Sequence, residues 1–227
     1  MAKPIHAPVS LFSQIPADLA KDLFGNAKLV RLTADQVLFL AGDPGDGCYR
    51  VEQGLLKVSM ISPSGGERIL AILGPGAVVG ELSVIDGKPR SASVSAVRDS
   101  ALSFISRASF NAFAAAHPEV YRHLVMLLAS RLRDTDAVLA AGSFLTLKGR
   151  IARALLDLGE AFGQKTGDGR LEIRQKISQS DVAAMAGIAR ENVSRVLNEW
   201  MRDKLISRIF GHYCIEDRDK LEEEAEL

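Results

Sequence analysis

Residues 118–142 read PEVYRHLVMLLASRLRDTDAVLAAG, and this stretch decides how the rest of the chain is divided. Pro118 stands near its start and Gly142 near its end, the asymmetry expected of helix termini. Tyr121, Val125, Leu128, Leu132, Thr135, Leu139 and Gly142 follow at steps of four and three. That is a seam with a period of 3.5, the pattern of a helix packed along a partner helix. At about 1.5 Å per residue the rod is about 36 Å long. It is either a long core helix of one domain or a dimerisation rod joining two. Thr135 is the polar break in the seam, with Asp136 beside it.

Before this stretch, short runs of Val, Ile and Leu from Lys28 to Phe104 alternate with turn clusters at 42–47, 62–66, 74–76 and 86–89. No helical pattern lies between them to carry parallel crossovers, so the expectation is an antiparallel β-domain. Short helical turns are expected at Ser13–Phe24 and at Ser109–Ala116. After the stretch the periodicity turns helical: Leu147–Phe162 is amphipathic, 163–169 reads as a flexible loop, and a second helical block starts at Ser178. A β-hairpin is expected from Leu205 to Ile215. The fold class is α+β, with 1–116 as an antiparallel β-domain of the sandwich or barrel kind, 117–142 as the connecting helix and 143–227 as a mostly helical domain ending in the hairpin.

With 227 residues, 28 Lys and Arg against 28 Asp and Glu, and 47% hydrophobic residues, the composition is that of a soluble chain and carries no charge signal for nucleic acid. Locally, Ser143–Tyr213 holds 12 Lys and Arg against 8 Asp and Glu, and an acidic tail with Glu222, Glu223, Glu224 and Glu226 offsets much of this excess. The two cysteines, Cys48 and Cys214, are far apart and fit a reducing, cytoplasmic setting as buried apolar fillers. No metal framework, signal peptide or membrane span is expected. His6, His117, His123 and His212 do not cluster in sequence. Nothing resembles a nucleophile–base constellation or a P-loop, so an enzyme is not expected.

Two stretches carry chemistry. In the C-terminal part, Gln179–Val196 spaces Val182, Ala186, Ile188, Val193 and Val196 as two helices meeting at a tight turn, with Gly187 at the turn and Ser178 and Asp181 as a capping pair. On a wheel, Arg190, Glu191 and Arg195 face away from Val193, Val196 and Trp200. They sit in the N-terminal half of the second helix, the part that enters a major groove. Arg can bond guanine O6 and N7, and Glu can accept from cytosine N4; the competing explanation is a solvated Arg–Glu face.

In the β-domain, Gly80-Glu81-Leu82-Ser83 and Pro89-Arg90-Ser91-Ala92 form the second stretch. Gly80 permits close backbone approach, a helical turn from Glu81 offers N–H groups, Arg90 presents a fork matched to phosphate, and Ser91 adds a hydroxyl. Glu81 accepts only, which suits a sugar hydroxyl.

Gly187-Ile188-Ala189-Arg190-Glu191-Asn192-Val193-Ser194-Arg195-Val196-Leu197 resembles the recognition segment of the Crp/Fnr family of transcription regulators, in its cyclic-AMP-receptor branch, and 80–91 resembles the phosphate cassette of cyclic-nucleotide-binding domains. The resemblance covers about residues 10–213 and implies an antiparallel β-roll over 1–116 as the cyclic-nucleotide-binding domain, a dimerisation helix over 117–142 and a winged helix–turn–helix domain over 143–227. It implies a homodimer in which Gly80, Glu81, Leu82, Arg90, Ser91, Thr135 and Asp136 hold cyclic AMP. Arg90 and Ser91 would take the cyclic phosphate, Glu81 the ribose 2′-hydroxyl, and Thr135 and Asp136 the base. It also implies that Arg190, Glu191 and Arg195 read a TGTGA-like half-site, that Ser178, Gln179, Ala189 and Asn192 lie against double-stranded DNA, and that RNA polymerase is a further partner. Asp136 departs from the Ser usual in the enteric receptor. A carboxylate suits the guanine N1–H and 2-amino pair as well as the adenine amino group, so cyclic GMP stays open. The alternatives are a regulator of this fold sensing another effector or none, and a nucleotide-binding module acting on a partner protein.

Overall fold

A computed structural model describes residues 17–167 and 169–226. The chain divides into two compact units, and the division falls between Arg133 and Asp134, inside the long helix. His6 and the expected turns at 13–16 lie outside the described residues.

In the first unit, α1 (Ala17–Phe24) precedes β1 (Lys28–Leu32), β2 (Val37–Phe39), β3 (Gly47–Ile61), β4 (Glu67–Leu73) and β5 (Val78–Val79). α2 (Glu81–Asp86), β6 (Ser93–Ser106), α3 (Arg107–Ala116) and the long α4 (Glu119–Phe144) follow. The strands form one antiparallel sheet in the order β1-β6-β3-β4, with β2 on β6 and β5 on β3. The two long strands β3 and β6 run against each other from Gly47↔Ser106 to Ser59↔Ser93, and the register shifts between Val51 and Leu56. Gly54 sits in that irregularity at φ +98°, a conformation glycine adopts without steric cost. A Cβ there would strike Ser100, whose hydroxyl accepts from the Leu55 N–H at 3.0 Å and donates to the Arg98 carbonyl at 2.7 Å. The bend is therefore fixed by a glycine and by one buried, hydrogen-bonded serine.

The core beneath the sheet combines Val51, Leu56, Leu73, Val94 and Leu102 with Phe110 of α3 and with Val120, Leu124 and Leu127 of α4. The start of α4 thus belongs to the β-unit. An adjoining face of the helix carries Tyr121, Val125, Leu132 and Leu139, all exposed in the single chain, with Leu132 at 63%. The helix does not stop at Gly142 as expected but runs on to Phe144. A glycine inside a helix costs only about 1 kcal/mol, too little to end one by itself, and the Ser143 hydroxyl donates back to the Leu139 carbonyl at 3.1 Å.

The second unit contains α5 (Leu147–Phe162), β7 (Gly163–Lys165), β8 (Leu171–Ile173), α6 (Gln179–Ala186), α7 (Arg190–Arg202), β9 (Ile206–Ile209), β10 (His212–Ile215) and α8 (Arg218–Glu224). Its sheet has the order β7-β8-β10-β9. The loop expected at 163–169 is in part a strand: Gly163, Gln164 and Lys165 pair with Ile173, Glu172 and Leu171. Gly-Gln-Lys has no apolar alternation to announce a strand, and the pairing comes from the partner β8. Ile151, Leu155, Leu158, Ile173, Val182, Val193, Leu197 and Trp200 fill the core of this unit. The two central residues of the β9–β10 turn, Phe210 and Gly211, both have positive φ, +50° and +86°. Gly211 does so freely, whereas a bulky L-residue there costs about 1–2 kcal/mol.

Gly54→Ala and Gly65→Ala provide a matched pair. Both glycines have φ between +84° and +98°, but a Cβ at Gly65 meets nothing within 4 Å. In urea unfolding, Gly65→Ala is expected to lower stability by about 1 kcal/mol and Gly54→Ala by at least about 2 kcal/mol. Equal losses would show that the Ser100 contact does not fix the bend.

Candidate nucleotide pocket and nucleic-acid interface

Gly80 precedes α2 with φ +82°, and no side chain caps the helix. A Cβ on Gly80 would run into the Arg90 guanidinium, so the position requires glycine for both conformation and space. The Arg90 side chain is only 2% exposed. Its Nη1 donates to the carbonyls of Gly47 (2.7 Å) and Gly80 (2.9 Å), and its Nη2 donates to the Asp46 carboxylate (2.9 Å). The guanidinium also lies over the Phe39 ring, 4.3 Å from its centroid. These bonds leave the buried Nε–H of Arg90 without an acceptor.

Glu81 is equally buried. One carboxylate oxygen accepts from Nη1 of Arg131, while Nη2 of Arg131 donates to the Val78 carbonyl at 2.9 Å. The other oxygen, Oε2, is buried without a partner. An orphan donor on Arg90 and an orphan acceptor on Glu81 are the two groups that a ligand carrying an anion and a hydroxyl would satisfy. Ser91 is exposed, as is Leu82 on α2. Cys48 lies near the same carboxylate: burial, with a smaller push from Glu81, raises its thiol to about 12, so it stays protonated and inert. Thr135 and Asp136 are exposed residues of α4, beyond the division at Arg133.

In the second unit the capping box forms as expected. The Ser178 hydroxyl accepts from the Asp181 N–H at 3.0 Å, and the Asp181 carboxylate accepts from the Ser178 N–H at 2.9 Å. α6 ends at Gly187 (φ 64°), and the Ile188 N–H returns to the Ala183 carbonyl at 3.0 Å. α7 starts after Ala189, whose side chain offers no cap. Its inner face buries Val193, Val196, Leu197 and Trp200. Arg190, Glu191 and Arg195 are exposed, as the helical wheel predicts, and Arg195 donates to the Asn192 side chain. Ser178 and Ala189 are exposed, and Gln179 and Asn192 are half-buried.

Residues 29–117 match the cyclic nucleotide-binding domain, and 149–224 match the Crp-like helix-turn-helix domain. Over 188 residues, 83% of each chain, the sequence is 37% identical to the cyclic AMP receptor protein of Thermus thermophilus. The chain belongs to the Crp/Fnr family. This Crp/Fnr regulator is also 29% identical to the CRP-like cAMP-activated global transcriptional regulator of Mycobacterium tuberculosis, over 97% of its own length and 98% of the relative's. A solved CRP/FNR-family transcriptional regulator from Thermus thermophilus superposes with a TM-score of 0.73 at 27% identity, covering 88% of this chain and 99% of that one. The Crp/Fnr regulator is therefore a cyclic-nucleotide-binding transcription regulator with a DNA-binding helix–turn–helix, and its family is not one of enzymes. Among the described residues no helix is long and apolar enough to cross a membrane.

Three residues at the pocket escape sequence reasoning: Arg131, Asp46 and Phe39. Asp46 lies in a turn cluster rich in Gly and Asp, with nothing to single it out. Arg131 is one of several Arg on α4, and only the fold brings it to Glu81, fifty residues earlier.

Removing Arg131 leaves a buried carboxylate without its countercharge. Arg131→Ala is expected to cost about 1–3 kcal/mol in denaturant unfolding, and Glu81→Gln in the same chain is expected to recover part of it. Additive losses in this double-mutant cycle would mean that the pair is not coupled.

Proposed function

We propose that the chain acts as a homodimeric regulator whose effector is cyclic AMP, with cyclic GMP as the second candidate, and which recognises a TGTGA-like palindrome. The observation that carries the effector reading is the complementary pair of orphan groups: the buried Arg90 Nε–H for a phosphate oxygen and the buried Glu81 Oε2 for a ribose hydroxyl. Ser91 and the backbone at Gly80 and Leu82 complete the phosphate and ribose side. Thr135 and Asp136 keep the base-contacting role that the family resemblance implies. Dimerisation is supported by the exposed apolar stripe of α4, Tyr121, Val125, Leu132 and Leu139, at the spacing of a helix–helix seam. A named relative is cAMP-activated, which favours cyclic AMP; the Asp136 carboxylate is the specific reason to keep cyclic GMP.

On DNA, Arg190, Glu191 and Arg195 would reach base edges of one major groove. Ser178, Gln179, Ala189 and Asn192 would approach the backbone, and two copies would meet half-sites one helical turn apart. Ala189 gives up the hydroxyl that could reach one phosphate. Nucleotide and DNA binding are linked, so each tightens the other by the same factor. RNA polymerase is the further partner of such a regulator.

Titration calorimetry tests the effector. Cyclic AMP or cyclic GMP is expected to bind at micromolar concentration or tighter, and Ser91→Ala, an exposed position, to weaken binding by about ten- to hundredfold. No heat with either nucleotide sinks the effector reading, while Asp136→Ser is expected to shift the preference between them. In gel shifts with TGTGA and TCACA arms one turn apart, Arg195→Ala is expected to lose discrimination at one base position, a cost of about 1–3 kcal/mol. An intact half-site preference in that variant would overturn the base-reading assignment.

A further inference from the structure

Three helix ends meet in the second unit around a cavity of about 480 Å³. α5 begins there at its cap Thr146, α7 ends there through Glu199, Trp200 and its cap Asp203, and the last turn of α8 brings Glu223 and Glu224, with Glu226 just beyond. The walls are tied to one another. The Glu216 and Asp217 N–H groups both donate to the Leu205 carbonyl, at 2.9 and 3.2 Å, which sets the start of α8 beside the end of α7. A Cβ on Gly149 would stand 2.8 Å from the Glu224 carbonyl, so α8 lies directly on the first turn of α5.

The cavity is acidic. Five carboxylates line it: Glu199, Asp203, Glu223, Glu224 and Glu226. Lys148 pairs with Glu199. Lys220 lines the cavity too, but its ammonium pairs with the Asp217 carboxylate at 3.3 Å. Asp203, Glu223, Glu224 and Glu226 have no ion-pair partner among the described residues. Helix C-termini carry partial negative charge, and α8 has no basic residue in its last turn to offset it. The start of α5 opposes this, with its Gly149 N–H taken by the Thr146 hydroxyl at 3.0 Å. Like charges gathered in this way repel, and a cation entering the cavity relieves the repulsion. Trp200 gives a second, independent sign. It is 1% exposed, it lines the cavity, and its buried indole N–H has no acceptor. A buried donor is normally paired, so this one calls for an oxygen from outside the chain.

We propose that this cavity docks a basic segment of a partner protein. Its Arg or Lys heads meet Asp203, Glu223, Glu224 and Glu226, and one of its backbone carbonyls accepts from the Trp200 N–H. A peptide brings both the cation and the carbonyl, whereas a simple amine brings only the cation. The same carboxylates repel a phosphate backbone, so the occupant is not nucleic acid. At about 1.5 Å per residue, Asp203 lies about 20 Å along α7 from Arg190. That is about twice the screening length of roughly 10 Å at 0.1 M salt, so a partner seated here leaves the outward face of Arg190, Glu191 and Arg195 free. The site belongs to the second unit alone and does not rest on the effector or base-reading assignments.

Trp200 is the single tryptophan of the chain, so its emission reports on the cavity. The probe is an acetylated, amidated octapeptide of alternating Gly and Arg, titrated into the full chain and read by Trp200 emission and by calorimetry. Saturable binding to one site per chain with a change in emission is expected. Glu223→Gln is expected to weaken it about tenfold and the pair Glu223→Gln, Glu224→Gln about a hundredfold, since each keeps the side-chain shape and removes one charge. Glu119→Gln, an exposed carboxylate on α4, is expected to change nothing. Absence of saturable binding overturns the proposal, and so does an equal loss in Glu119→Gln. Binding that leaves Trp200 emission unchanged overturns the assignment to this cavity. Equal affinity for the same peptide with citrulline in place of Arg removes the charge argument. Spermidine binding as tightly as the peptide, with the same change in emission, makes this a site for simple cations and overturns the peptide reading.

Discussion

The buried Arg90 guanidinium is the constraint on which the first unit depends. It bonds two backbone carbonyls, one at the start of β3 and one just before α2, and it sits on the Phe39 ring. A charge this deep is tolerated only when its N–H groups are matched, and the chain matches most of them with its own backbone and with Asp46, which is 67% exposed. Gly80 must be glycine because of that guanidinium, and α2 begins where Gly80 turns the chain. Arg90 thus ties the residue before α2 to the start of β3. Its buried Nε–H is left without an acceptor.

The second organising element is α4, which has one face in the core of the β-unit and another exposed. Val120, Leu124 and Leu127 are buried in the β-unit core, and Arg131 on the same helix holds Glu81. Tyr121, Val125, Leu132 and Leu139 remain exposed. A seam with a period of 3.5 and an amphipathic core face are interleaved in one sequence, which is why neither pattern alone describes this helix. Glu81 accepts from Arg131 through one oxygen and keeps the other free, so the pocket and the helix meet in a single carboxylate.

Much of this was legible in the sequence because the governing residues are local. The capping box at Ser178 and Asp181, the left-handed Gly187 and the outward face of Arg190, Glu191 and Arg195 each follow from spacing within one or two turns. The meeting of Gly80 with Arg90, next to Glu81, was legible as two short stretches ten residues apart. Arg131 and Asp46 were not, since partners 50 and 44 residues away leave no periodic trace. The strand β7 was hidden for a different reason, because Gly-Gln-Lys becomes a strand only through pairing with β8. The end of α4 was misjudged because a single glycine was given more weight than its free energy warrants.

The hairpin tip has an evolutionary consequence. The register of β9 on β10 is set by Ile206↔Ile215 through Ile209↔His212, and the side chain of residue 210 takes no part in it. A substitution at the tip therefore leaves the core, the recognition helix and the cassette undisturbed. Arg190, Glu191 and Arg195 are part of α7, a helix held in the core by its own Val193, Val196, Leu197 and Trp200. The tip is instead a nearly independent coordinate of the sequence, along which a lineage of such proteins can drift and be selected without disturbing the rest of the fold.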